Sequence, residues 1–138
     1  IQALKSAIRY AARLVFIFTL FTVLALLVFG QSLIVILFGS SYAGAYSTLL
    51  IIGAGHLASA LFGSVVMLLS MTGHERETLI GAIAFAIMNI ILNSVLVPIF
   101  GPEGAASATA ASLIALNFYL WVIVLRKLGV NTLAFGKM

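Results

Sequence analysis

Charge is what this sequence has least of. Only 7% of its 138 residues are Asp, Glu, Lys or Arg, against about a quarter in an ordinary soluble domain. So little polar surface cannot cover a water-exposed globule, which points to an integral membrane protein. Cysteine is missing altogether, so disulfides, thiol chemistry and zinc–thiolate sites are excluded. The carboxylates number only three, Glu75, Glu77 and Glu103. All fall in expected loops, the first two on one side and Glu103 on the other. Paired acids therefore cannot converge, and there is no nucleophile–base set or metal cluster. No catalytic residue, metal site or other cofactor is expected, and the chain does not read as an enzyme. Proline is limited to Pro98 and Pro102, both beside the same break.

What is present is apolar length. No Asp, Glu, Lys or Arg occurs from Leu14 to His74, too long a run for one crossing of roughly 20 residues. Gly39, Ser40, Ser41 and Gly44 cluster in "FGSSYAGAY" (38–46) and divide it. Four transmembrane helices are expected, at about 14–37, 46–69, 79–99 and 105–125. They are separated by that cluster, by "TGHERET" (72–78) and by "FGPEG" (100–104). Helices are required because backbone amides in hydrocarbon must be paired, and the segments lack the alternation of barrel strands. The fold class is all-α, a polytopic membrane protein with four transmembrane helices. Residues 1–13 read as an amphipathic basic lead-in and 128–138 as a tail or linker. The start at Ile1 and the abrupt "LAFGKM" ending lead to the expectation of a portion of a longer protein. The first segment does not read as a signal peptide, because its apolar part is too long and no small-residue cleavage pattern follows.

Four crossings put both ends on one side. Lys5, Arg9 and Arg13 precede the first span, Arg76 follows the second, and Arg126, Lys127 and Lys137 follow the fourth. All seven cations fall on that one face, which the positive-inside rule makes cytoplasmic. Localisation in the cell (inner, cytoplasmic) membrane is expected, with both termini of this stretch in the cytoplasm. The net charge of +4 then needs no nucleic acid as partner; membrane lipids suffice. Lys5, Arg9 and Arg13 form one helical stripe at i, i+4, i+8. It either anchors the lead-in at lipid headgroups or, for Arg9 and Arg13, meets an anionic substrate group.

Polar and small residues recur at helical spacing inside the spans. Thr19, Thr22 and Gly30 share a face in the first. His56, Ser59, Gly63 and Ser70 do so in the second, and Ala82, Ala86, Asn89 and Asn93 in the third. The fourth opens with "GAASATAAS". Small residues let helices approach closely in lipid, and polar groups there face protein or an aqueous cavity. His56, Asn89 and Asn93 are candidates for a substrate path; the alternative is helix packing, with the asparagines in interhelical hydrogen bonds. A proton-coupling role for His56 is a further candidate, because imidazole both donates and accepts protons; a neutral histidine bonded to a neighbouring helix is the alternative.

Three segments in this order carry a resemblance. The first is "LFGSSYAGAYSTLLIIGAGH", with Phe38, Gly39 and Tyr42 leading into a span. The second is "LLSMTGHERETLIGAI". The third runs through Asn89, Asn93, Pro98, Phe100, Gly101 and Gly104 to Ala108–Thr109. Together they resemble the C-terminal portion of polysaccharide and lipid-linked oligosaccharide flippases, the O-antigen flippase-like proteins of polysaccharide and lipopolysaccharide biosynthesis. These belong to the multidrug/oligosaccharidyl-lipid/polysaccharide exporter superfamily. The resemblance covers about 28–127. It implies two helix bundles rocking about a central cavity and a lipid-linked oligosaccharide substrate. The remaining helices of the full-length transporter would then be partners. It marks Gly39, Tyr42, Pro98, Gly101 and Gly104 as turn residues on the outer side. Alternatives are a drug/cation antiporter of the same superfamily, which would want an acid inside a span, and a non-transporting four-helix scaffold subunit.

Overall fold

In a computed structural model the backbone of residues 2–129 and 132–133 is described, with side chains from Tyr10 onward over the same range. The side chains of Lys5 and Arg9, and all of Lys137, lie outside the described residues. Five α-helices form: α1 Gln2–Phe38, α2 Ala45–Ala60, α3 Val65–Met71, α4 Glu75–Phe100 and α5 Pro102–Leu128. A short 3₁₀ turn, Ser40–Tyr42, precedes α2. Three helices are long and apolar enough to cross a membrane, and the bent pair α2–α3 makes a fourth if it counts as one span. The fold is thus all-α, as the apolar runs require, with the basic lead-in continuous with α1.

The segment expected as one helix over 46–69 is two. Gly63 takes φ +72°, which an L side chain adopts only with strain. The α-helical ladder stops there, and α3 leaves at 46° to α2. Three successive i→i+3 bonds wind down the end of α2: Leu61 N–H to Ala58, Phe62 N–H to Ser59 and Gly63 N–H to Ala60. A Gly–Ser pair is a recognised cause of such a kink.

Contacts along the helices fix their directions. Tyr46 meets Leu27, and Gly53 faces Val23, so α1 and α2 are antiparallel. Gly104 abuts Leu96, and Gly81 abuts Tyr119, so α4 and α5 are antiparallel too. Ser47 reaches Glu103, Gly55 touches Ala110 and Phe62 stacks near Phe118; α2 and α5 therefore run parallel. Packing proceeds in the order α1–α2–α5–α4, with α3 against α4 and α5.

The small-residue run explains the central place of α5. Gly104, Ala106, Ala108 and Ser112 are buried. A Cβ on Gly55 would lie 2.5 Å from the Ala110 Cβ, so a glycine sets this interhelical distance. Larger side chains are buried chiefly at the basic end, where Val65, Leu68 and Leu69 of α3 meet Leu120 and Val124 of α5. Elsewhere the apolar surface faces outward: Phe18, Phe21, Val28 and Ile36 on α1, and Ile83, Ile87, Ile90 and Ile91 on α4, are exposed. Water would disfavour such a surface; hydrocarbon or further helices suit it.

The turn residues fall in several settings. Gly39 (φ +94°) ends α1, and Tyr42 sits in the 3₁₀ turn. Its ring lies 6.2 Å from that of Phe38. Gly101 (φ +58°) alone links α4 to α5, with Pro102 at the first helical position. There its missing N–H and fixed φ suit the helix start. Pro98 and Gly104 are not turn residues: Pro98 lies inside the last turn of α4 and Gly104 in the first turn of α5. A proline that near a helix end forfeits a single backbone bond. A Cβ on Gly104 would overlap the Leu96 carbonyl.

Candidate substrate recess

On α1, Thr19, Thr22, Val23 and Leu26 follow i, i+3, i+4, i+7. On α2, Leu49, Ile52, Gly53 and His56 do the same. Each set makes one face of a helix. The antiparallel pairing lays the two faces against each other, and together with Phe18 they line a recess of about 330 Å³. Gly53 forms part of the α2 wall, where a Cβ would make only ordinary contact, 3.5 Å from Val23 Cγ2. The polar stripe of the first span and the histidine of the second, separate in the sequence, thus meet in one place.

The chemistry of the recess follows from its donors and acceptors. Thr19 Oγ1 donates to the Val15 carbonyl at 2.8 Å, and Thr22 Oγ1 to that of Phe18 at 2.9 Å. Both hydroxyl protons are committed to their own helix, so each oxygen offers lone pairs as acceptors. The exposed imidazole of His56 supplies one donor and one acceptor when neutral. Phe18, Val23, Leu26, Leu49 and Ile52 make the walls apolar. The recess therefore suits an amphiphile whose polar part carries hydroxyls. No carboxylate lines it, so it holds no fixed negative charge for a bare cation. Among the described residues no cluster of His, Asp or Glu could hold a metal ion.

The other candidate residues lie elsewhere. Asn93 Nδ2 donates to the Asn89 carbonyl at 2.9 Å and to Asn89 Oδ1 at 3.0 Å. Asn93 therefore donates back to Asn89 along α4, a contact within one helix and not a bridge between two. Both asparagines are half-buried and, with α2 and α5 between them and α1, stay apart from the recess. A spacing of four, which places two amides on one face, equally lets one reach back to the other. Arg13 is exposed on α1, six residues before Thr19, so roughly 9 Å below it along the axis. Arg9 shares that helix, its side chain outside the described residues.

Two cross-helix contacts carry no sequence motif. Tyr46 OH donates to the Leu27 carbonyl at 2.7 Å, its ring lying over Gly30. Ser47 hydrogen-bonds Glu103, joining the starts of the parallel α2 and α5. The glycine at position 30 signals the first, since a bare backbone invites a ring; nothing in the local sequence signals the second. At the basic end Lys127 pairs with Glu77, tying the end of α5 to the start of α4. Searches with protein-family models, among curated proteins and among solved structures found no match to this chain.

Proposed function

We propose that this chain is part of a membrane exporter that flips a lipid-linked oligosaccharide or polysaccharide precursor across the cytoplasmic membrane by alternating access. One observation carries the reading: Thr19, Thr22 and His56 converge in an apolar-walled recess between α1, long enough to cross a membrane, and α2 of the bent pair. Polar groups at membrane depth are costly and serve packing or passage. Among the described residues these three line open space, which leaves room for passage. A hydroxyl-rich headgroup would find acceptors on both threonines, and the apolar walls would take the start of its lipid. The resemblance of the "FGSSYAGAY" and "FGPEGAA" segments to flippase turns supports the same reading. The cations support a cytoplasmic placement of the basic end, since Arg13, Arg76, Arg126 and Lys127 flank the spans there and the positive-inside rule favours that side.

The test uses the full-length protein in a strain deleted for it. Surface polysaccharide restored by the wild type, and reduced by His56→Leu or Thr22→Val at equal expression, is the expected result. Drug resistance conferred without change in polysaccharide would replace the flippase reading with antiport. Full restoration by a triple Thr19→Val, Thr22→Val, His56→Leu variant would remove the recess from the pathway.

A further inference from the structure

Thr132 lies beyond the last helix, in what the sequence presents as a tail. It is nevertheless fully buried (0% exposed), and its Oγ1 donates to the Phe62 carbonyl at 2.9 Å. Phe62 belongs to the break between α2 and α3. In an uninterrupted helix its carbonyl would accept from the N–H of Val66, four residues on. At the break Val65 N–H turns back to Gly63 instead, and the hydroxyl of Thr132 serves Phe62. Burying that carbonyl without any donor would cost roughly 1–3 kcal/mol, so something must take the place of Val66.

Two further residues shape the seat. Gly63 has no side chain where one would strike the Thr132 carbonyl and come 3.0 Å from Ala12 Cβ. Ala12 is itself fully buried, although both its neighbours on α1 are exposed. Phe62 packs with Phe118 and Trp121, ring centroids 6.0 and 6.1 Å away. Thr132, well past Trp121 in sequence, has therefore come back to the level of that aromatic group. Beyond α5, which Gly129 closes with φ +60°, the chain returns to a notch between α1 and the break.

We propose that this notch is a docking site for the chain's own segment at Thr132, and that docking latches α3 in its bent position. The latch has two self-consistent states. Docked, Phe62 accepts from Thr132, Gly63 holds positive φ, and α3 is angled away from α2. Released, Phe62 accepts from Val66 N–H, Gly63 moves to helical φ, and α2 and α3 join as one straight span. The carbonyl is satisfied in either state; the docked state also keeps Val65, Leu68 and Leu69 packed on Leu120 and Val124, and seating Thr132 adds to that preference. Elements with two discrete arrangements of this kind are what conformational switching acts on.

Two measurements on the full-length protein test this. Thr132→Cys should react with a water-soluble maleimide about tenfold more slowly than Arg126→Cys, an exposed position nearby. Gly63→Leu, which fills the notch, should bring the two rates together. Thr132→Val keeps the shape and removes only the hydroxyl. It should raise protection of the Val66 amide against hydrogen exchange, because that N–H becomes the donor to Phe62. Equal labelling at positions 132 and 126 in the otherwise unaltered protein would refute docking. Unchanged exchange at Val66 in Thr132→Val would refute the latch.

Discussion

Gly55→Ala examines the packing of the whole molecule with one methyl group. The Ala110 Cβ would stand 2.5 Å from the new carbon and the Ala110 Cα 2.9 Å. Carbon atoms rest at about 3.5–4.0 Å, so α2 and α5 must part by about 1 Å. Neither partner can relieve this by rotating a side chain, since one is a methyl and the other backbone. Overpacking of this kind costs about 1–3 kcal/mol, while alanine returns up to about 1 kcal/mol of helix propensity over glycine. The balance is a loss of up to about 2 kcal/mol, with about 1 kcal/mol the midpoint. Trp121, packed with Phe62 and Phe118 beside the same helix pair, reports unfolding by fluorescence. In detergent the melting temperature should fall by roughly 5 °C. Adding Ala110→Gly should recover part of the loss, with a coupling above about 0.5 kcal/mol in a double-mutant cycle. A Gly55→Ala protein that melts at or above the wild type, or an Ala110→Gly effect equal in both backgrounds, would refute the close approach of the parallel helices.

Other substitutions address single contacts. Tyr46→Phe removes the donor to the Leu27 carbonyl and should cost about 0.5–1.5 kcal/mol in the same unfolding assay. Gly39→Ala meets no atom within 4 Å, so its penalty of about 1–3 kcal/mol is pure backbone strain at positive φ. Gly44→Ala, also in open space but at φ −66°, should cost nothing measurable. Asn93→Leu should cost about 0.6 kcal/mol, the mean for a side-chain hydrogen bond in a membrane. Leucine at both Asn89 and Asn93 should be little worse, because the pair bonds internally; a much larger double loss would indicate partners on another helix.

Helix positions were legible in the sequence because a bilayer admits few alternatives: long apolar runs must be helices, and glycine clusters must separate them. The break at 61–64 was hidden for the same reason. "LFGS" is as apolar as its flanks, and Gly63 fits a small-residue stripe as readily as a kink. Spacing grouped Thr19 with Thr22, and put His56 in a stripe with Ser59, Gly63 and Ser70 that the break at Gly63 interrupts. That these faces meet depends on the register of the α1–α2 hairpin, which a list of periodicities does not contain. The asparagine pair shows the converse, since one face was read correctly but the partner was not. Thr132 carried no signal at all, because burial after a helix end depends on a notch that two distant segments build.

The central position of α5 bears on how the molecule is made. A ribosome delivers these helices in chain order, so the one that packs against α2, α3 and α4 emerges last of the five. Until then the bare backbone at Gly55 and the hydroxyl of Ser59 have nothing from α5 to rest against. Of the helices described, only α1 packs on α2 before α5 arrives. Packing among these five helices therefore waits on α5 and is not set by the α1–α2 hairpin alone.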